Sequence, residues 1–281
     1  MIQIPPTYNY IGAFLTLQCN LKCSYCINGS IDRKRKLLSG QEWVRALNRI
    51  ETREDLPITF GGGEPTLHPD FYFIVNELYD RGHKMDLLTN GMFHIDIFMR
   101  QVDQAIFKRN SPYASIRVSY HPETMSAEGV LYRVKKMLDR GYHIGIWSVD
   151  HPKYKKEISQ FSDEARKLGI DFRLKDFLGM YEGKLYGHYK YSGACRGENR
   201  KEVICKTSEL LIGPDGNVYR CHADLYGNKV PVGHILDDNF QILDIHRLCV
   251  SGYGFCSPCD VKIKFDRFQI MGHCSVEIKE R

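Results

Sequence analysis

Along the first 180 residues the apolar positions switch repeatedly between two spacings. Short apolar runs bounded by turn residues predict strands at 13–17, 58–60, 84–88, 115–120, 143–149 and 172–177. Between them the spacing becomes helical. Phe71, Ile74, Val75 and Leu78 recur on one face of 70–81, and Gly82 ends that helix. Further helices are predicted at 40–49 behind a Ser39 cap, near 95–102, at 127–140 and at 155–168. Six strand–helix repeats imply a parallel α/β sheet: a partial (β/α)6, TIM-like barrel. In such sheets the chemistry gathers beyond the C-terminal ends of the strands.

The pattern breaks after Gly179. Residues 180–200 are rich in Tyr, Gly and Lys without clear periodicity, and 209–212 and 218–221 read as a hairpin about Pro214-Asp215-Gly216-Asn217. A helix is expected at 242–250. We therefore expect a barrel domain over 1–184 and a small α+β domain over 185–281. The second holds seven of the ten cysteines, so it reads as organised around metal rather than around a core.

Cys19, Cys23 and Cys26 are spaced C-x3-C-x2-C just after the first strand. Three thiolates on one loop can hold three irons of a [4Fe–4S] cube and leave the fourth open to a small molecule. Structural zinc is the alternative, but it takes four ligands and the next candidate along the chain is His68.

C-x3-C-x-aromatic-C, with Tyr25 as the aromatic, resembles the signature of the radical S-adenosylmethionine (SAM) superfamily. Gly62-Gly63-Glu64-Pro65 resembles that family's GGEP motif, Leu88-Thr89-Asn90-Gly91 its third-strand end, and Ser119 stands where relatives contact SAM. The resemblance covers residues of about 10–180. It implies that the open iron binds SAM, that Gly62, Gly63, Glu64 and Pro65 hold its amino group, and that Tyr25, Thr89, Asn90 and Ser119 belong to the cofactor site. It also implies reductive cleavage of SAM to a 5′-deoxyadenosyl radical that abstracts hydrogen from a substrate, with an external one-electron donor such as flavodoxin or ferredoxin.

Cys205-x10-Gly216-x4-Cys221 followed by Cys256-x2-Cys259 resembles the opening of the SPASM/twitch extension of some relatives. Phe265 stands where the full SPASM pattern continues with cysteine, so the shorter twitch form fits better. The resemblance implies a second, auxiliary [4Fe–4S] cluster on Cys205, Cys221, Cys256 and Cys259, with Cys195 and Cys274 as competing ligands. A tetrahedral zinc is the plainer alternative. Cys249 is left over, either a small buried residue or a hydrogen-atom donor to a substrate radical.

Composition changes this picture little. The chain has 281 residues, 43% hydrophobic and 26% charged, with a net charge of +5. No apolar run approaches the roughly 18 residues of a membrane span. The first residues show no basic segment followed by an apolar stretch, so the cytoplasm is the default expectation. Basic runs at 33–36, 153–156 and 196–201 read as solvated faces, and nucleic acid is not an expected partner. His121 closes the fourth strand and is a candidate catalytic group. Trp147, Ser148, Asp150, His151, Lys175 and Asp176 lie at the fifth and sixth strand ends, and His222 is expected beside a cluster ligand. Tyr181, Tyr186, Tyr189 and Tyr191 are expected to pack over the domain junction or line a substrate mouth. The function expected is hydrogen abstraction from a small sugar- or cyclitol-like molecule, giving oxidation or epimerisation. Radical modification of a ribosomal peptide or RNA is the alternative, and a non-catalytic zinc module is the alternative of another class.

Overall fold

The computed structural model describes residues 1–28, 34–197, 201–264 and 273–281. The basic runs at 33–36 and 196–201 lie partly outside the described residues, and Phe265 lies outside them.

β1 (Tyr10–Thr16) is buried along its whole length, as an interior strand of a parallel sheet must be. After it come α1 (Gly40–Leu47), β2 (Ile58–Gly62), α2 (Phe71–Asp80), β3 (Met85–Thr89), α3 (Ile95–Gln101), β4 (Ile116–Tyr120), α4 (Ala127–Leu138), β5 (Ile144–Asp150), α5 (Lys155–Lys167) and β6 (Asp171–Asp176). The six strands pair in chain order and in parallel, forming the expected partial barrel. Each helix lays its apolar stripe on the sheet, and α2 does so through Phe71, Ile74, Val75 and Leu78. Ser39 caps α1 in a reciprocal pair with Glu42, whose side chain returns to the Ser39 amide at 2.8 Å. Asp86 on β3 is fully buried and neutralised by two arginines, Arg109 at 2.7 and 2.9 Å and Arg117 at 2.7 Å.

A two-stranded ribbon follows, β7 (Gly179–Tyr181) with β8 (Lys184–Tyr186), so the division expected at 184/185 falls inside β8. The remaining elements are β9 (Val203–Thr207), β10 (Glu209–Ile212), β11 (Asn217–Tyr219), α6 (His222–Tyr226), β12 (Gly233–His234), β13 (Arg247–Leu248), α7 (Pro258–Val261) and β14 (Val276–Glu280). The expected hairpin is β10–β11, but it does not stand apart. β10 pairs in parallel with β1, from Tyr10 opposite Glu209 to Ala13 opposite Ile212, and the hairpin extends the barrel sheet in the order β12-β11-β10-β1 to β6. β13, β9 and β14 form a separate antiparallel sheet.

The helix expected at 242–250 does not form. Arg247 and Leu248 pair with Cys205 and Ile204 of β9 instead. Leu243, Ile245, Leu248 and Val250 are each half-exposed, so no buried stripe exists to hold a helix in place.

Candidate functional site

The loop carrying Cys19, Cys23 and Cys26 leaves the C-terminal end of β1 and is held by the ends of β2, β3 and β4. From β2, the Gly63 amide donates to Thr16 O at 3.0 Å and the Glu64 amide to Gln18 O at 2.7 Å. The two backbones approach so closely that a Cβ on Gly63 would lie 2.0 Å from Gln18 O, and Gly62 adopts φ 114°. From β3, the Asn90 side-chain amide donates to Asn20 Oδ1 at 2.7 Å and reaches Cys19 Sγ at 3.8 Å. Beyond β4, Glu123 accepts from the amide and hydroxyl of Ser24, both at 3.0 Å, and Thr124 Oγ1 lies 3.6 Å from Cys23 Sγ. Tyr25 meets His121 Nδ1 at 3.1 Å through its hydroxyl and packs against His151 and Phe177.

Glu64 is 1% exposed, and its carboxylate is consumed inside the frame. Oε1 accepts from Thr66 N, Thr66 Oγ1 and Thr89 Oγ1, and Oε2 from the Asn90 amide at 2.7 Å. Its carboxylate therefore ties β2 to β3 at the cavity wall. Burial pushes its pKa up against those four donors. His121 is held neutral: burial, then the Lys175 charge, lowers its pKa to about 4.

A cavity of about 330 Å³ opens at these strand ends. Cys19, Cys23 and Cys26 all line it, as do Gly62, Gly63, Glu64, Thr89, Asn90, Ser119 and His121. Pro65 lies behind this wall, opening the 3₁₀ turn Pro65–Leu67. Of the other strand-end candidates, Lys175 reaches the cavity. Trp147 packs against Tyr113, Ser148 bonds Tyr120 O and Asp176 pairs with His188. Tyr181 and Tyr186 pack on Phe177, while the hydroxyls of Tyr189 and Tyr191 are bound by Tyr186 O and the Ile278 amide.

The second cysteine group gathers beneath β9. Cys205, Val203, Ala194, Tyr253, Val261 and Val276 form a small core, and Cys195, Cys221, Cys249 and Cys256 pack against it. Cys259 sits in α7 and lines the cavity of the first group. Buried polar bonds fix the cysteine-bearing elements to each other. Asp260 accepts from the His222 amide and ring nitrogen, both at 2.8 Å, and from Ala223 N at 3.1 Å, joining α7 to α6. Arg220 pairs with Asp224 at 2.7 Å and donates to Leu248 O, beside Cys249. Burial pushes the Cys195 and Cys256 thiols up to about 12, a cost that coordination as thiolate would offset. Cys249 faces Cys205 and is not on the cavity wall. Cys274 lies apart and donates to Val276 O at 3.1 Å. Among the described residues no three His, Cys, Asp or Glu gather closely enough for a single metal ion. A cube asks less, because each thiolate takes its own iron.

Sequence reading missed Asn20, Asn28, Glu123, Thr124 and Glu209. Glu123 and Thr124 follow His121-Pro122 at a strand end, where that position alone marks them as candidates. Glu209 carries no local signal.

Among the described residues no helix is long and apolar enough to cross a membrane. The chain is 30% identical over 129 residues to an S-adenosylmethionine-dependent nucleotide dehydratase of Selenomonas ruminantium, 46% of each chain, so it spans under half of that relative. It is 24% identical over 267 residues to a GTP 3′,8-cyclase of Clostridium perfringens, covering 89% of this chain and 80% of the other. In structure it resembles Streptococcus suis SuiB bound to the precursor peptide SuiA, with a TM-score of 0.57 at 15% identity, over 83% of this chain and 63% of that one. Residues 14–106, which carry the cysteine loop, the Gly-Gly-Glu-Pro turn and the β3 end, match the model of the Radical SAM superfamily.

Proposed function

We propose that this protein uses SAM to remove a hydrogen atom from a small hydroxylated, sugar- or cyclitol-like substrate, giving oxidation or epimerisation. One observation carries the reading: a single cavity is lined by all three cysteines of the β1 loop and by Cys259 of the second group. A substrate there would touch both. Cys19, Cys23 and Cys26 would hold a [4Fe–4S] cluster open at one iron, and Cys205, Cys221, Cys256 and Cys259 a closed auxiliary cluster in a twitch-type extension. When bound, the first cluster supplies the reductive cleavage of SAM, using electrons from an external donor such as flavodoxin or ferredoxin.

The chain's own residues orient and insulate. Asn90, Ser24, Glu123 and Thr124 fix the cysteine loop, so the ligand positions are set before anything binds. Gly62 and Gly63 keep side chains out of the space beside it, and Ser119 offers a hydroxyl. His121 presents an uncharged imidazole, steadied by Tyr25, to the substrate. Cys249 does not line the cavity, so the hydrogen-donor role is not proposed for it. A nucleotide is the second reading. Lys175 and Lys262 line the cavity and suit phosphate, and the dehydratase and cyclase named above act on nucleotides.

The test is iron and acid-labile sulfide per chain after anaerobic reconstitution, alongside SAM cleavage. About eight irons in the wild type, falling to about four with no SAM cleavage in the Cys19→Ala/Cys23→Ala/Cys26→Ala variant, is the expected result. Zinc without sulfide would overturn it.

A further inference from the structure

We infer that Glu209 is the residue that selects the substrate, its free Oε2 accepting an O–H or N–H from a polyhydroxylated or amino-bearing ring lodged between the Cys19–Cys26 loop and Cys259. The inference deepens the function proposed above and rests on that reading of the cavity.

Glu209 opens β10, opposite Tyr10 of β1, and is 2% exposed. It lines the cavity together with Cys259 and Lys264. Its two oxygens are treated unequally. Oε1 accepts from the Lys264 ammonium and from Ser275 Oγ at 2.7 Å. Oε2 is buried and accepts no hydrogen bond among the described residues. His222 Nδ1 lies 3.6 Å from Oε2, too far for a hydrogen bond, and that nitrogen is already engaged with Asp260 Oδ1 at 2.8 Å. Burial pushes the Glu209 carboxyl up, but Lys264 and then His222 pull it down to about 2, so it is an anion at neutral pH. A buried anionic oxygen without a donor costs more than an unsatisfied neutral group. Buried polar atoms in native proteins are almost always partnered, so an orphaned one on a cavity wall calls for a donor from outside the chain. Lys264 and Ser275 fix the carboxylate, so Oε2 is presented without further loss of side-chain freedom.

A second atom agrees. Asn28 also lines the cavity, and its Nδ2 donates to Gly62 O at 3.1 Å while its Oδ1 is buried without a partner among the described residues. Two acceptors short of donors in one cavity call for a ligand that brings donors. Hydroxyls and amino groups do. A phosphate or a bare carboxylate brings none and would be repelled by Glu209, so a charged tail on the substrate must point elsewhere.

The experiment measures binding of three probes, myo-inositol, glucosamine and guanosine, to the full reconstituted chain in the presence of SAM by ligand-observed NMR titration. The variants are Glu209→Gln, Glu209→Asp and Asn28→Ala. At least one probe should bind the wild type. Its affinity should fall tenfold or more in both Glu209 variants, the range expected for a hydrogen bond to a charged group, and less in Asn28→Ala. Aspartate keeps the charge but withdraws the oxygen, so it would rescue a purely structural role and not this one. Iron per chain in the same samples reports whether each variant has folded. Full affinity in either iron-loaded Glu209 variant overturns the inference, as does a wild type that binds none of the probes. Failure of the underlying function shows separately, as a wild type that holds no iron or does not cleave SAM.

Discussion

In the barrel half, the cysteine loop is an appendage to a finished structure. Trp43, Phe60, Phe71, Phe98 and Tyr120 are fully buried in one continuous core, and the loop hangs from strand ends that this core already fixes. In the C-terminal half the order is reversed. The core beneath β9 consists of six buried residues with cysteines packed on it, and the elements that carry those cysteines meet through Asp260, Arg220 and Glu209. The first region should therefore keep its fold whether or not its cysteines are ligated. The second should depend on ligation, as small metal-organised units do.

The largest effect expected lies in the barrel and has nothing to do with metal. Asp86→Ala leaves the Arg109 and Arg117 guanidiniums buried without their counterion. Removing one partner of such a network costs about 3–5 kcal/mol. Urea unfolding should show this loss equally in iron-free and iron-loaded protein. A loss that iron relieves would mean that the barrel too leans on its cluster.

Asp260→Asn probes the other half. The amide keeps one acceptor for α6 but loses the charge that holds the His222 amide and ring nitrogen and the Ala223 amide. About 1–3 kcal/mol is at stake. Here the loss should be full without iron and much reduced with it, because ligation by Cys221 and Cys259 would join α6 to α7 independently of Asp260. Equal losses in the two states would end the contrast between the regions.

The same contrast decides what could be read from the sequence. Periodicity predicts an element when one face is buried, so the six barrel strands, their helices and the strand-end motifs were legible from residues such as Phe71 and Leu78. It does not name a strand's partner. Nothing in Glu209–Ile212 shows that β10 returns to β1, which is why Glu209 escaped notice although that pairing brings it to the cavity. The apolar residues of 242–250 suggested a helix because their spacing permits one, yet a two-residue pairing with β9 outweighs it. Glu64 was legible as a motif residue, whereas its bonds to Thr89 and Asn90 depend on how closely β2 and β3 approach. Long-range pairing and polar brackets shape the C-terminal half, and neither leaves a local signature.

Acid should separate the two regions by the smallest margin. Burial lowers the pKa of His68, His83, His121, His143 and His151, all in the barrel. A histidine kept neutral in the fold binds its proton sooner in the unfolded chain. Its contribution to stability is therefore intact above the ordinary pKa of 6.5 and is lost as pH falls toward the folded value. For His121 that window runs from about 6.5 to about 4. Glu209, lowered from 4.5 to about 2, loses its contribution only in the window between those values. One pH unit below the histidine reference, at about pH 5.5, His121 alone should account for about 1 kcal/mol. Iron-free protein should thus lose urea resistance between pH 7 and 5.5 through the barrel, and His121→Gln should flatten part of that slope. If Glu209→Gln rather than His121→Gln flattens it, the acid-sensitive region is the cysteine-rich half and the assignment of the barrel as the pH-dependent partner is wrong.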